Sequence, residues 1–207
     1  MDEKFICSPE IEKYIYSLQE SNEKTLKEMH DYAQGFPIAG PLVGKLLMQL
    51  TLLKKPKRMI ELGSGFGYSA YWFALALEKG SKLIFTDNSE KNVLKAKEFL
   101  EEFSNLIDFR FGDALEVLKS EKEKFDLIFM DINKKQYPKA FPLIKEKLKK
   151  NGLLIVDNTL WRGSVVSESA DKIVSAVREF NEMVFNDKDL ISSIVPLRDG
   201  VLIALRK

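Results

Sequence analysis

Residues 58–68, Arg-Met-Ile-Glu-Leu-Gly-Ser-Gly-Phe-Gly-Tyr, constrain this chain more than any other stretch. An apolar run at 59–62, with Glu61 inside it, enters a turn with glycine at 63, 65 and 67. A helical segment, 68–77, opens directly after. Glycine lets the backbone turn sharply and approach a ligand where a Cβ would block contact. The following helix aims free N–H groups over the turn, which favours an anionic ligand group there. The pattern outlines a cofactor or nucleotide pocket. It is also the ordinary strand-to-helix turn of many α/β proteins, and short glycine patterns produce false positives.

Two cofactors compete for such a turn. A dinucleotide fingerprint is G-x-G-x-x-G. Here the spacing is G-x-G-x-G, with Tyr68 where the third glycine would fall and Glu61 two residues before the first. A carboxylate so close repels a pyrophosphate and attracts an α-ammonium group, so its sign favours S-adenosylmethionine over NAD.

The rest of the chain fits one domain, 1–207, with a helical preface at 1–54 and an α/β core at 56–207. In the preface, Ile11, Tyr14, Ile15 and Leu18, then Leu26, Met29 and Ala33, have helical spacing. Ser8 and Pro9 suit an N-cap and first turn. Gly35, Pro37, Gly40 and Pro41 break the chain before a third helix with Val43, Leu46, Leu47, Leu50 and Leu53 on one face. Cap, substrate wall and dimer surface all remain open as roles for the preface. From Pro56, apolar runs at 59–62, 83–86, 109–111, 127–130 and 153–156 alternate with amphipathic segments, which predicts a doubly wound, mostly parallel sheet. Runs at 190–197 and 201–205, separated by Arg198-Asp199-Gly200, predict a hairpin.

In such sheets ligands bind outside the carboxyl ends of the strands. The second run ends in Asp87, about twenty residues past the glycines, where an acidic residue suits ribose hydroxyls. The third delivers Gly112 and Asp113, placed for an adenine contact, the fourth Asp131, and the fifth Asp157 with Asn158. Asp131, Asp157 and Asn158 are hard oxygen donors of the kind that bind Mg²⁺ or Ca²⁺; each could equally cap its own turn. A lysine near a divalent cation loses some preference for its charged form, so Lys134 is a candidate general base, with Lys135 beside it. Trp161 and Arg162 suit a wall and an anion contact, and Trp161 equally suits packing.

Other features narrow the function less. Lys+Arg at 32 against Asp+Glu at 31 gives a formal net charge of +1, which offers no overall electrostatic footprint for nucleic acid. Cys7 is the only cysteine, so no disulfide forms within the chain, and the thiol is expected to be inert. His30, the only histidine, reads as a solvated helix position. No signal-peptide pattern or membrane-length apolar run is present, which makes a cytoplasmic location the expectation.

The runs Glu61-Leu-Gly-Ser-Gly-Phe-Gly-Tyr-Ser-Ala, Phe129-Met-Asp-Ile-Asn-Lys-Lys-Gln-Tyr, Asp157-Asn-Thr-Leu-Trp-Arg-Gly-Ser-Val-Val and Asp199-Gly-Val-Leu-Ile-Ala-Leu resemble the cation-dependent O-methyltransferases. That family includes catechol and caffeoyl-CoA O-methyltransferases and small bacterial relatives. The likeness runs from about residue 38 onward, and its most specific part is Asp-Asn-Thr-Leu-Trp. It implies the Rossmann-like class I methyltransferase fold, a seven-stranded sheet whose last strand is inserted antiparallel. It further implies Asp131, Asp157 and Asn158 as ligands of Mg²⁺ (or Ca²⁺ or Mn²⁺) and Lys134 as base. Glu61 and Ser69 would hold the methionine part of S-adenosylmethionine, Asp87 the ribose, and Asp113 would lie near the adenine. Gly63, Gly65 and Asp131 would also line the cofactor. Asp87 stands where some members have Glu, and Ile-Asn-Lys-Lys where plant members tend to have Ala-Asp-Lys-Asp.

The implied reaction is methyl transfer to a hydroxyl of a catechol-like or other phenolic small molecule. A tRNA hydroxyuridine O-methyltransferase and a non-catalytic nucleotide-binding protein of the same fold are the alternatives. The resemblance and the apolar preface favour a homodimer.

Overall fold

The computed structural model describes residue 6 and residues 8–18, 24–168 and 170–207; Cys7 lies outside the described residues. Helices α1 (Pro9–Ser17), α2 (Lys24–Ala33) and α3 (Gly40–Lys54) form the preface. Ser8 caps α1 by accepting from Ile11 N at 3.3 Å, with Pro9 in the first turn. The core alternates: β1 (Arg58–Leu62), α4 (Tyr68–Ala74), β2 (Lys82–Asp87), α5 (Glu90–Phe99), β3 (Ile107–Phe111), α6 (Ala114–Ser120), β4 (Phe125–Met130), α7 (Tyr137–Lys147), β5 (Leu148–Val156) and α8 (Lys172–Phe185). The hairpin β6 (Leu190–Val195) and β7 (Val201–Arg206) closes the chain.

One sheet runs β3-β2-β1-β4-β5-β7-β6, parallel throughout except β7, which is antiparallel to both β5 and β6. This is the doubly wound, Rossmann-like methyltransferase fold that the sequence implied.

Successive strand residues point to opposite faces, and the apolar ones divide accordingly. Met59, Leu83, Phe85, Leu127 and Phe129 pack with α2–α5, while Ile60, Leu62, Ile84, Ile128 and Met130 pack with α6–α8. Burying both faces explains why these strands read as apolar runs instead of alternating ones.

Several boundaries and one helix face differ from the sequence reading, and β5 begins at Leu148, ahead of its apolar run. Helix α4 stops at Ala74, not Leu77. Strand β3 begins at Ile107; as an edge strand with polar Asp108 and Arg110, its apolar signal is weak. The hairpin turn is longer than Asp-Gly: Val195 pairs with Val201, which puts Leu197 in the turn. On α3 the buried stripe is Leu42, Val43, Gly44, Leu47 and Thr51, and Leu53 is 82% exposed. The helical rotation that turns positions 43, 47 and 51 inward carries 53 to the outer side. His30 is exposed, as expected. Among the described residues no helix is long and apolar enough to cross a membrane.

Candidate active site

Register makes the site. Leu62 pairs with Met130 and Met130 with Val156, so the next residues, Gly63, Asp131 and Asp157, leave the sheet side by side. The ladder continues past the strands: Asp131 N donates to Leu62 O at 2.9 Å and Asp157 N to Met130 O at 3.2 Å. Strand order reverses between β1 and β4, the switch point at which open α/β sheets bind ligands. At Gly63, with φ +84°, a Cβ would stand 2.5 Å from the Asp131 carbonyl oxygen, so the approach of these two strand ends requires glycine.

The glycine turn is pinned from β2. Thr86 Oγ1 donates to Glu61 O at 2.7 Å and accepts from Gly63 N at 3.3 Å, while Ser64 N donates to Thr86 O at 2.8 Å. Asp87 Oδ2 accepts from Gly65 N at 2.9 Å, and Oδ1 accepts from Ser89 N at 2.9 Å and Asn92 Nδ2 at 3.0 Å. Asp87 thus holds the glycine turn with one oxygen and the start of α5 with the other.

Glu61 is the anomaly of β1, fully buried on the face that packs against α4. The Ser69 hydroxyl donates to Oε1, and Oε2 has no hydrogen-bond partner. Burial lifts its pKa to about 8; the Ser69 and Ser64 hydroxyls oppose that rise, and the charges of Asp131 and Asp87 add to it. An orphaned buried carboxylate oxygen is costly and suits a cationic donor. Glu61 itself is not in the lining, but its partner Ser69 lines a cavity of about 210 Å³ together with Gly63, Gly65, Asp87, Asp131 and Asp157. Its remaining wall, Phe36 to Ala39, comes from the linker between α2 and α3, so the preface contributes a wall to the site.

Lys134, not Lys135, lines this cavity, and its Nζ donates to Asp131 Oδ1 at 2.6 Å. The same Nζ lies 5.8 Å from the centre of the Tyr137 ring and 5.9 Å from that of Trp161. Asp157 is nearly fully buried and accepts from Asn158 N at 2.8 Å. Burial first, then the charge of Asp131, raises its pKa to about 7, against the opposing pull of Lys134 and Arg198. Tyr137 donates from its hydroxyl to Asp157 O at 2.9 Å and so ties α7 to the end of β5. Asn158, at φ +59°, donates from Nδ2 to Asp199 Oδ2 at 3.3 Å, which leaves its amide oxygen as an available donor to a cation.

Capping accounts for some of the strand-end acids and not others. Asp113 caps α6 by accepting from Leu115 N and Glu116 N at 2.9 and 3.1 Å. It also lines a neighbouring cavity of about 270 Å³ with Asp87, Gly112 and Gln136. Asn133, accepting from Lys135 N at 3.1 Å, caps the turn after β4, which leaves Asp131 to Lys134. Among the described residues no cluster of three or more His, Cys, Asp or Glu is arranged for a metal; the candidate set is two carboxylates and an amide.

A third cavity, about 420 Å³, joins Asp157 and Asn158 to Phe36, Arg162, Arg198 and Asp199. Two contacts from α8 fix its loop. Arg178 donates from Nε to Val165 O at 2.8 Å and from Nη2 to the carbonyls of Ser164 and Ser167, and Asn181 Nδ2 donates to Thr159 O at 2.8 Å. Arg198 donates from Nη1 to Ile38 O at 2.9 Å and also to Ala39 O. Sequence reasoning missed Thr86, the linker at 36–39, Arg178 and Arg198. Only the linker carried a signal, an aromatic residue and a proline between glycines.

The fold, the turn and its buried acid define an S-adenosylmethionine-dependent methyltransferase. The chain belongs to the O-methyltransferase family, whose model matches residues 12–207. It is 29% identical over 179 residues to a catechol O-methyltransferase of Niastella koreensis, covering 81% of each chain. With a caffeoyl-CoA O-methyltransferase of Pinus taeda it shares 32% identity over 178 residues, 79% of this chain and 69% of that one. The crystal structure of a Bacillus cereus O-methyltransferase in complex with SAH superposes with a TM-score of 0.86 at 25% identity, covering 96% of this chain and 97% of that one.

Proposed function

We propose that this O-methyltransferase requires a divalent cation and methylates one of two vicinal hydroxyls on a catechol-like small molecule. The observation that carries the reading is the level exit of Asp131 and Asp157 from adjacent strands, with Asn158 next in line and Lys134 on Asp131. Asp157 is nearly fully buried, with its pKa raised by burial and then by the charge of Asp131, and two carboxylates plus an amide oxygen suit Mg²⁺ or Ca²⁺. Catechol and caffeoyl-CoA O-methyltransferases among the relatives point to a phenolic acceptor.

Asp131, Asp157 and Asn158 would hold the ion, which supplies Lewis acidity that lowers the pKa of a coordinated hydroxyl. Glu61 and Ser69 would take the α-ammonium end of S-adenosylmethionine, the methyl donor. Asp87 would take the ribose and Asp113 the adenine side, and Gly63 and Gly65 would let the backbone approach. Lys134, held by Asp131 beside the cavity, would be the acceptor for the hydroxyl proton. Tyr137 and α7 keep Asp157 in place. The walls from the linker and the Trp161 loop hold the acceptor in line and exclude water, a proximity effect worth up to roughly 7–11 kcal/mol.

The test is transfer to catechol before and after chelation, with Asp157→Ala alongside. EDTA should abolish turnover and Mg²⁺ restore it. Asp157→Ala should lower kcat by about 10³-fold, the loss of several kcal/mol of charge stabilisation, with SAH affinity changed less than about threefold. Turnover that survives EDTA would remove the metal from the account.

A further inference from the structure

We infer that the acceptor of this transfer carries an oxyanion, a carboxylate or phosphate group, received by Arg162 and Arg198 in the cavity beside Asp157 and Asn158. This rests on the function proposed above and adds the acceptor's charge. The cavity, about 420 Å³, accommodates a single substituted ring. Two of its lining residues are the proposed ligands Asp157 and Asn158, so an acceptor held at the ion extends into it.

Among the described residues neither guanidinium in that wall forms an ion pair, although the charge of Arg198 also acts on Asp157. Arg198 spends Nη1 on the neutral carbonyls of Ile38 and Ala39, which fixes the group in place without cancelling its charge. Arg162 is exposed on the same wall, with no ion pair or hydrogen bond among the described residues. The cavity's other acid, Asp199, is held by Asn158 Nδ2. Guanidinium groups present a planar fork that matches carboxylate and phosphate oxygens.

The backbone adds an independent observation. Among the described residues seven non-glycine residues have positive φ, and three of them, Asn158 at +59°, Arg162 at +52° and Arg198 at +50°, line this one cavity. Strain of this kind gathers at ligand-binding walls and persists where the surroundings over-determine it. Here the determinants are visible: Arg178 grips the carbonyls of residues 164, 165 and 167, while Thr159 N and Leu160 N donate to Gly200 O and Asp199 O at 3.0 and 2.8 Å. The fold therefore holds two guanidiniums on left-handed backbone in the wall of this cavity.

The experiment compares 3,4-dihydroxybenzoate, 3,4-dihydroxybenzylphosphonate, 3,4-dihydroxybenzyl alcohol and 3,4-dihydroxybenzylamine with the full chain. Calorimetric Kd is measured with Mg²⁺ and S-adenosylhomocysteine, and kcat/KM with S-adenosylmethionine. One or both anions should bind about tenfold tighter than the alcohol, and the amine more weakly than the alcohol. The better anion identifies carboxylate or phosphate. That preference should fall to near unity in Arg162→Gln combined with Arg198→Gln and return in part in Arg162→Lys. Arg162→Gln alone, which removes no contact to the linker, should lower it about threefold. Equal affinity for anions and alcohol in the wild type overturns the inference, as does a preference that persists in the double variant. Anion-selective binding without methyl transfer would leave the anion site standing and sink the assigned reaction; transfer without charge preference would do the reverse.

Discussion

The two sides of the Asp131–Asp157 edge are built differently. On the cofactor side, β1, the glycine turn and α4 are contiguous in sequence. All of α4 is buried, and the contacts that fix the turn come from the neighbouring strand end, Thr86 and Asp87. On the acceptor side, the wall gathers three loops far apart in the chain: the linker at 36–39, the segment 157–167 and the hairpin turn at 196–200. These are held by side-chain grips such as Arg178 on the Trp161 loop and Arg198 on Ile38, 160 residues away. The cofactor side is thus made of local backbone geometry, and the acceptor side of loops brought together by side-chain contacts. Binding residues commonly divide this way between a scaffold and its loops.

The largest effect that would break this comparison lies at Glu61. Its carboxyl has a folded pKa of about 8 against an ordinary 4.5, so the unfolded chain gives up the proton at lower pH than the folded chain. The stability of the ligand-free protein should therefore decline as pH rises from about 4.5 to 8 and level off above that. Glu61→Gln should remove the decline and raise ligand-free stability at pH 9 by roughly 3–5 kcal/mol, read as a higher Tm than wild type. The same change should weaken SAH binding about 100-fold or more, because an ammonium group loses its carboxylate. Wild-type binding near pH 7 should release a proton, seen as a calorimetric enthalpy that varies with buffer. A Glu61→Gln protein that binds SAH normally would show that the ammonium sits elsewhere.

A smaller effect belongs to the other side. Arg178→Ala removes charge-assisted hydrogen bonds worth about 1.5–3 kcal/mol from residues 164–167, none of which lines the glycine-turn cavity. The acceptor KM should rise about tenfold, with SAH affinity unchanged and faster amide exchange at residues 164–167. Equal losses of SAH and acceptor affinity would mean the two sides are not separable.

Legibility in the sequence follows the same divide. The turn, Glu61 and the strand-end acids could be read because strand, glycine spacing and helix are consecutive, and burial on both faces leaves plain apolar runs. Ser69 stands beside Glu61 because the glycine turn joins β1 directly to the first turn of α4, and Lys134 beside Asp131 because only two residues separate them in the turn after β4. The start of β3 was hidden by Asp108 and Arg110 on an edge that water can reach. Arg178 and Arg198 were hidden for a different reason: their partners are carbonyls of distant loops, and a backbone carbonyl leaves no trace in residue type.

The central claim is that Asp131, Asp157 and Asn158 share one divalent ion. Anomalous diffraction from crystals soaked in Mn²⁺, a hard substitute for Mg²⁺, tests it most directly. The account predicts a single strong peak about 2.0–2.6 Å from a carboxylate oxygen of Asp131, one of Asp157 and the amide oxygen of Asn158, with the Lys134–Asp131 pair opened. A peak at another site, or none between these three side chains, would contradict it.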